Sequence, residues 1–142
     1  MKRWLLLLLF IPFAFLIGCN TDLSFSEKSL KSANKDLKEF MESIGEINGA
    51  HLYYDGEKTI YVFLNGINVN QSNKTEYFTD FAVEADGNTL NVTYKQAETD
   101  FNPNDVLKNQ LFYKVSLDKR YEKISPFCNG EITAFAAVSG GS

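Results

Sequence analysis

The chain has 142 residues, a formal net charge of −4 and an aromatic content of 14 %. That length suits one domain with a real core, and the acidic balance argues against nucleic acid and bare anionic lipid head groups, both of which select basic surfaces. A single histidine, His51, excludes a zinc centre built on two or three histidines.

The chain opens with MKRWLLLLLFIPFAFLIGC. Lys2 and Arg3 precede an apolar run from Trp4 to Ile17, then small Gly18 and Cys19. This is the layout of a secretory signal, too short for an ordinary membrane span of about 20 residues and interrupted at Pro12. Leu16-Ile17-Gly18-Cys19 resembles the lipobox of bacterial lipoproteins. The resemblance implies a signal peptide over residues 1–18, cut by signal peptidase II between Gly18 and Cys19. It also implies diacylglycerol on the Cys19 sulfur, and hence a protein held at the extracytoplasmic face of the cell membrane. Acyl chains such as palmitate hold only marginally when single, so such an anchor needs two. With Cys19 lipidated, Cys128 is the one thiol left, no intramolecular disulfide can form, and Cys128 is expected to be a small buried core residue.

Residues 19–25 are expected to be a tether, reaching at most about 20 Å beyond the lipid and followed by a single domain over residues 26–142. A helix is predicted from about Ser26 to Ile44. Ser24 and Glu27 have the spacing of a capping box, with Ser26 as a competing cap, and Leu30, Ala33, Leu37, Phe40, Met41 and Ile44 form one apolar stripe ending at Gly45. The period then changes to that of strands. Ala50–Tyr54 and Lys58–Leu64 flank Asp55-Gly56, a hairpin dipeptide. Ile60, Val62 and Leu64 alternate with Tyr61 and Phe63, so this strand is apolar on both faces and belongs at the centre of its sheet.

A polar surface loop is expected over residues 65–75. Tyr77–Ala85 and Thr89–Gln96 then alternate around Asp86-Gly87, with one dry and one wet face. A long connection over residues 98–109 leads to Leu111–Leu117, in which Leu111, Tyr113, Val115 and Leu117 oppose Lys114 and Ser116. Tyr121–Cys128, weakened at Pro126, and Glu131–Val138 complete the strands, and Gly140-Gly141-Ser142 reads as a frayed tail. Ile60 to Gly66 and Ile124 to Gly130 share the pattern I-x-x-F-x-N-G. The shared pattern predicts a strand ending in an Asn-Gly turn at both places.

No Gly-rich phosphate loop, G-x-S-x-G or S-x-x-K motif is present, and neither cysteine has neighbours at metal-ligand spacing. Glu98, Asp100 and Asp105 admit calcium binding or acid/base chemistry, although they fit no EF-hand and read better as solvated loop carboxylates. Tyr61, Phe63 and Phe112 are candidate partner-binding residues if they share a bare sheet face; the competing expectation is that other parts of the chain cover them.

The expected fold class is α+β, an N-terminal amphipathic helix packed on an antiparallel sheet of five to six strands. In size, leader and composition the chain resembles small lipoproteins of Bacillus-type bacteria and their prophages. The leading expectation is a non-enzymatic binding module that meets another envelope protein, with exclusion of related phages or inhibition of envelope proteases as two roles within that class. The alternatives are a metal-independent enzyme using the acidic loop and a purely structural lipoprotein. No cofactor is expected.

Overall fold

The computed structural model of the protein describes residues 22–68, 74–100 and 109–141. The leader with Gly18 and Cys19, the middle of the predicted polar loop, and Asp105 lie outside the described residues. Among those described are β1 (Ser24–Lys28), a 3-10 turn (Leu30–Ser32), α1 (Lys35–Ile44), β2 (Gly49–Asp55), β3 (Thr59–Asn65), β4 (Lys74–Asp86), β5 (Thr89–Asp100), β6 (Gln110–Ser116), β7 (Lys123–Cys128), β8 (Glu131–Ile132) and β9 (Ala137–Gly141).

These strands form two mixed sheets, one ordered β1-β6-β3-β2-β9 and the other β4-β5-β7-β8. The expected single antiparallel sheet under an N-terminal helix is therefore wrong: the protein is mostly β. β2 with β9 and β5 with β7 are parallel pairs. Each parallel pair joins strands that follow one another only after an excursion through other strands, and alternation within a strand carries no record of such a partner.

The helix expected from Ser26 is also corrected. Ser24–Lys28 is an edge strand antiparallel to β6, and Phe25 sets its ring edge-on to Phe81 at 5.2 Å and to Tyr113 at 6.2 Å. Phe25 stays 42 % exposed, yet it belongs to the folded body and not to a tether. Ser29 caps the 3-10 turn by accepting from the Lys31 amide, and Asn34, not Ser24 or Ser26, caps α1 by accepting from the Leu37 amide at 2.9 Å. The apolar stripe still marks true neighbours. Leu30, Ala33, Leu37, Phe40, Met41 and Ile44 all join one cluster, but the first two reach it from outside α1.

The five-stranded sheet is the middle layer. One face carries Ala50, Leu52, Ile60, Val62, Leu64, Leu111, Tyr113 and Val115 into the main core against Phe78, Phe81, Leu90, Val92 and Tyr94 of the second sheet. Phe81 stacks on Tyr113 with centroids 3.8 Å apart. The other face carries Tyr53, Phe63 and Phe112 against Leu37, Phe40 and Ile44 of α1. β3, apolar on both faces, accordingly sits third of the five strands.

Other boundaries shift for local reasons. Glu98 and Asp100 extend β5 and pair in register with Glu76 and Lys74, so they stand in a ladder where a loop was expected. The last predicted strand is two, β8 and β9, and Gly140 and Gly141 pair with Tyr54 and Asp55 where fraying was expected. Asn129 (φ 54) and Gly130 (φ 83) make the expected left-handed turn between β7 and β8. Asn65-Gly66 does not; Asn65 is a fully buried residue of β3.

Candidate functional site

The register of the middle sheet sorts its helix-side face into rows. Lys28, Phe112, Phe63, His51 and Ala137 occupy one row, and Ser26, Lys114, Tyr61, Tyr53 and Ser139 the next. Antiparallel partners directly opposite each other point to the same side of a sheet. Tyr61, Phe63 and Phe112 are therefore brought together, in line with the alternation. Phe63 and Phe112 are only 5 % and 2 % exposed, because α1 lies over them. Tyr61 is half-buried at the helix margin, its ring stacked on Phe112 with centroids 5.2 Å apart and planes 11° apart.

Beside that stack α1 no longer covers the sheet. Lys28, Lys114, Tyr61 and Phe112 together with Ser32, Asn34 and Leu37 line a cleft of about 230 Å³. A neighbouring groove of about 350 Å³ shares Lys28 and Phe112 and adds Glu27, Lys31 and Gln110. Lys114 is half-buried, and the ion pair between described residues, Lys95 to Asp80 at 3.5 Å, does not involve it. Burial first and then the Asp55 carboxylate raise the Tyr61 phenol above its ordinary value. Tyr53 is raised by burial and by Asp36, Asp55 and Glu39. Both phenols stay protonated near neutral pH. The open part of this face thus carries cations at its β1–β6 side and anions near Tyr53. Sequence reasoning does not reach Lys28 and Lys114 as site residues, because it sets Lys28 on a helix. The available signal is Lys114 alternating with Phe112.

Other perturbed groups lie away from this cleft. Glu76 faces Glu98 across the β4–β5 ladder, and burial followed by that neighbour raises its carboxyl. Burial raises the half-buried Cys128 thiol, which lies 3.7 Å from Gln96 Oε1, and so disfavours the reactive thiolate. Tyr121 Oη donates to Asp118 Oδ1 at 2.6 Å, which pushes the phenol, already raised by burial, to about 12 and lowers the carboxyl. Among the described residues, no three His, Cys, Asp or Glu side chains gather as a metal site.

His51 is fully buried between Phe63 and Ala137. Its Nε2 is 2.9 Å from the Ile47 carbonyl, to which it donates, while Nδ1 has no hydrogen-bond partner. Burial lowers its pKa from the ordinary 6.5, so the folded state holds it neutral. The unfolded chain binds this proton more readily. Its contribution to stability is thus full above about pH 6.5 and is lost as pH falls from there through the lower folded-state value. His51→Leu removes that loss, and the Ile47 carbonyl keeps its bond from Asn65 Nδ2 at 3.0 Å. Urea unfolding from about pH 5 to pH 7 should give a shallower pH slope for the variant; equal slopes would refute the assignment.

The molecule is, in class, a two-sheet β-sandwich with a helix packed on the outer face of the larger sheet and an open cleft at that helix's margin. Comparison with protein-family models, curated proteins and solved structures finds no match to this chain.

Proposed function

We propose that the chain is a lipid-anchored, non-enzymatic binding module at the outer face of a bacterial cell membrane, meeting an envelope partner through the cleft beside Tyr61. The address rests on the order of Lys2, Arg3, the apolar run and Leu16-Ile17-Gly18-Cys19. The binding role is carried by one observation: a half-buried aromatic ring, backed by Phe112, floors an open cleft between lysines of two strands. Aromatic rings held rigid by packing give large contact area at little entropic cost. Because β1 begins at Ser24, few residues separate the body from Cys19, and the partner is met close to the membrane.

Labelled palmitate should enter the wild-type protein in cells and not the Cys19→Ser variant. A photo-crosslinking residue at Ser26, beside Lys114 in the register, should give one discrete adduct in membranes that Tyr61→Ala abolishes. Absence of palmitate overturns the anchor. An adduct pattern indifferent to Tyr61 overturns the docking surface.

A further inference from the structure

We propose that the cleft at the β1–β6 side of α1 binds a small anion carried on a ring, with its carboxylate or phosphate between Lys28 and Lys114 and its ring against Tyr61. This deepens the binding-module reading and rests on it.

Three features of the cleft lead there. Lys28 and Lys114 come from adjacent strands in neighbouring rows of one face, and both line the same hollow, so one anionic group can meet both ammonium groups. Lys114 is half-buried and makes no ion pair among the described residues, so its charge is not committed to a carboxylate among them. An anion in the cleft would meet it through charge-assisted hydrogen bonds, which are stronger than neutral ones. The hollow also holds about 230 Å³, below the roughly 300 Å³ at which pockets for drug-sized ligands begin, so it suits one ring with one charged group.

The charge pattern of the sheet face sets the orientation. Asp36, Glu39 and Asp55 act on Tyr53, and Asp55 also acts on Tyr61, so an anion is repelled from the β2 side and drawn to the lysine side. In a molecule with net charge −4, this cleft is a local positive exception. Ser32 and Asn34 border it, and the Asn34 side-chain oxygen is already engaged as the α1 cap. Selectivity for the ring thus falls to the Tyr61–Phe112 stack.

The test is calorimetric titration of the full chain in detergent with phenyl phosphate, benzoate, inorganic phosphate and benzyl alcohol. Saturable binding of phenyl phosphate or benzoate, with inorganic phosphate weaker and benzyl alcohol silent, is expected. Preference for phenyl phosphate assigns the cleft to a phosphate ligand and preference for benzoate to a carboxylate ligand; both support the site. Lys114→Gln keeps the apolar stem packed, and once its unchanged melting temperature shows that it folds, it should bind about tenfold more weakly, as should Lys28→Ala. Tyr61→Leu should retain phosphate and lose the advantage of the ring. No saturable binding of either ring anion, or equal affinity in the lysine variants, overturns the proposal. If that happens while the Tyr61-dependent adduct persists, the ligand assignment alone has failed. If the adduct is missing while the anions bind, the partner-docking reading has failed.

Discussion

Phe112→Ala should lower the unfolding free energy by about 3–5 kcal/mol, the usual cost of truncating a fully buried phenylalanine. Phe112 is 2 % exposed and joins three parts of the fold: the strand pair β3–β6, the α1 side chains and the underside of the Tyr61 ring. Removing its ring leaves a hole under Leu37 and lets Tyr61 fall from the cleft floor. Tyr61→Ala removes a half-buried ring and should cost about 1–2 kcal/mol, since part of its area is already in water. Because the two rings are stacked, the double variant should cost less than the sum of the singles. Urea unfolding with a common m-value reads all three. A Phe112→Ala loss below about 1.5 kcal/mol would mean that α1 does not rest on this ring.

Period-2 alternation puts Tyr61 with Phe63 on one face of β3, and the β3–β6 register, which sets Phe63 opposite Phe112, brings the third ring to that face. What covers them does not follow. Covering depends on where α1 crosses the sheet, and apolar spacing starts that helix too early, because Leu30 and Ala33 continue the stripe through a 3-10 turn and extended backbone. Ser24–Lys28 reads as a helix start since its strand partner, β6, lies far along the chain, and capping-box spacing is a local signal with nothing local to oppose it. The Asp86-Gly87 hairpin, by contrast, is readable. Both strands and the turn lie within one window, and Gly87 takes a positive φ of 60°, although Asp86 pairs with Thr89 and the two-residue loop is Gly87-Asn88. The cleft combines both cases: alternation finds Tyr61, while Lys28 and Lys114 become neighbours only through the β1–β6 pairing.

The repeated I-x-x-F-x-N-G pattern supplies the sharpest contrast, since its two glycines should respond by different mechanisms and at unequal cost. Gly130 has φ 83° and nothing within 4 Å of where a methyl group would stand, so Gly130→Ala meets only left-handed backbone strain, about 1–2 kcal/mol. Gly66 carries no such φ. A Cβ there would lie 2.5 Å from the Glu76 carbonyl oxygen and 2.9 Å from its carbon, both backbone atoms that cannot swing aside. Gly66 also donates to Asn109 O at 2.8 Å and accepts from the Glu76 amide at 3.3 Å, joining the end of β3 to β4 in the other sheet. The preceding Asn65 fastens the same corner: its amide donates to Ile47 O, and its Oδ1 accepts from Ile67 N and from Gln110 Nε2. Relieving the collision at Gly66 means parting the two sheets at a corner held by buried polar bonds, so Gly66→Ala should cost about 3 kcal/mol, at the upper end for overpacking. Denaturant midpoints of the two single variants decide it. Equal losses would mean that Gly66 is an ordinary turn glycine and that the close approach of β3 to β4 is not a constraint of the fold.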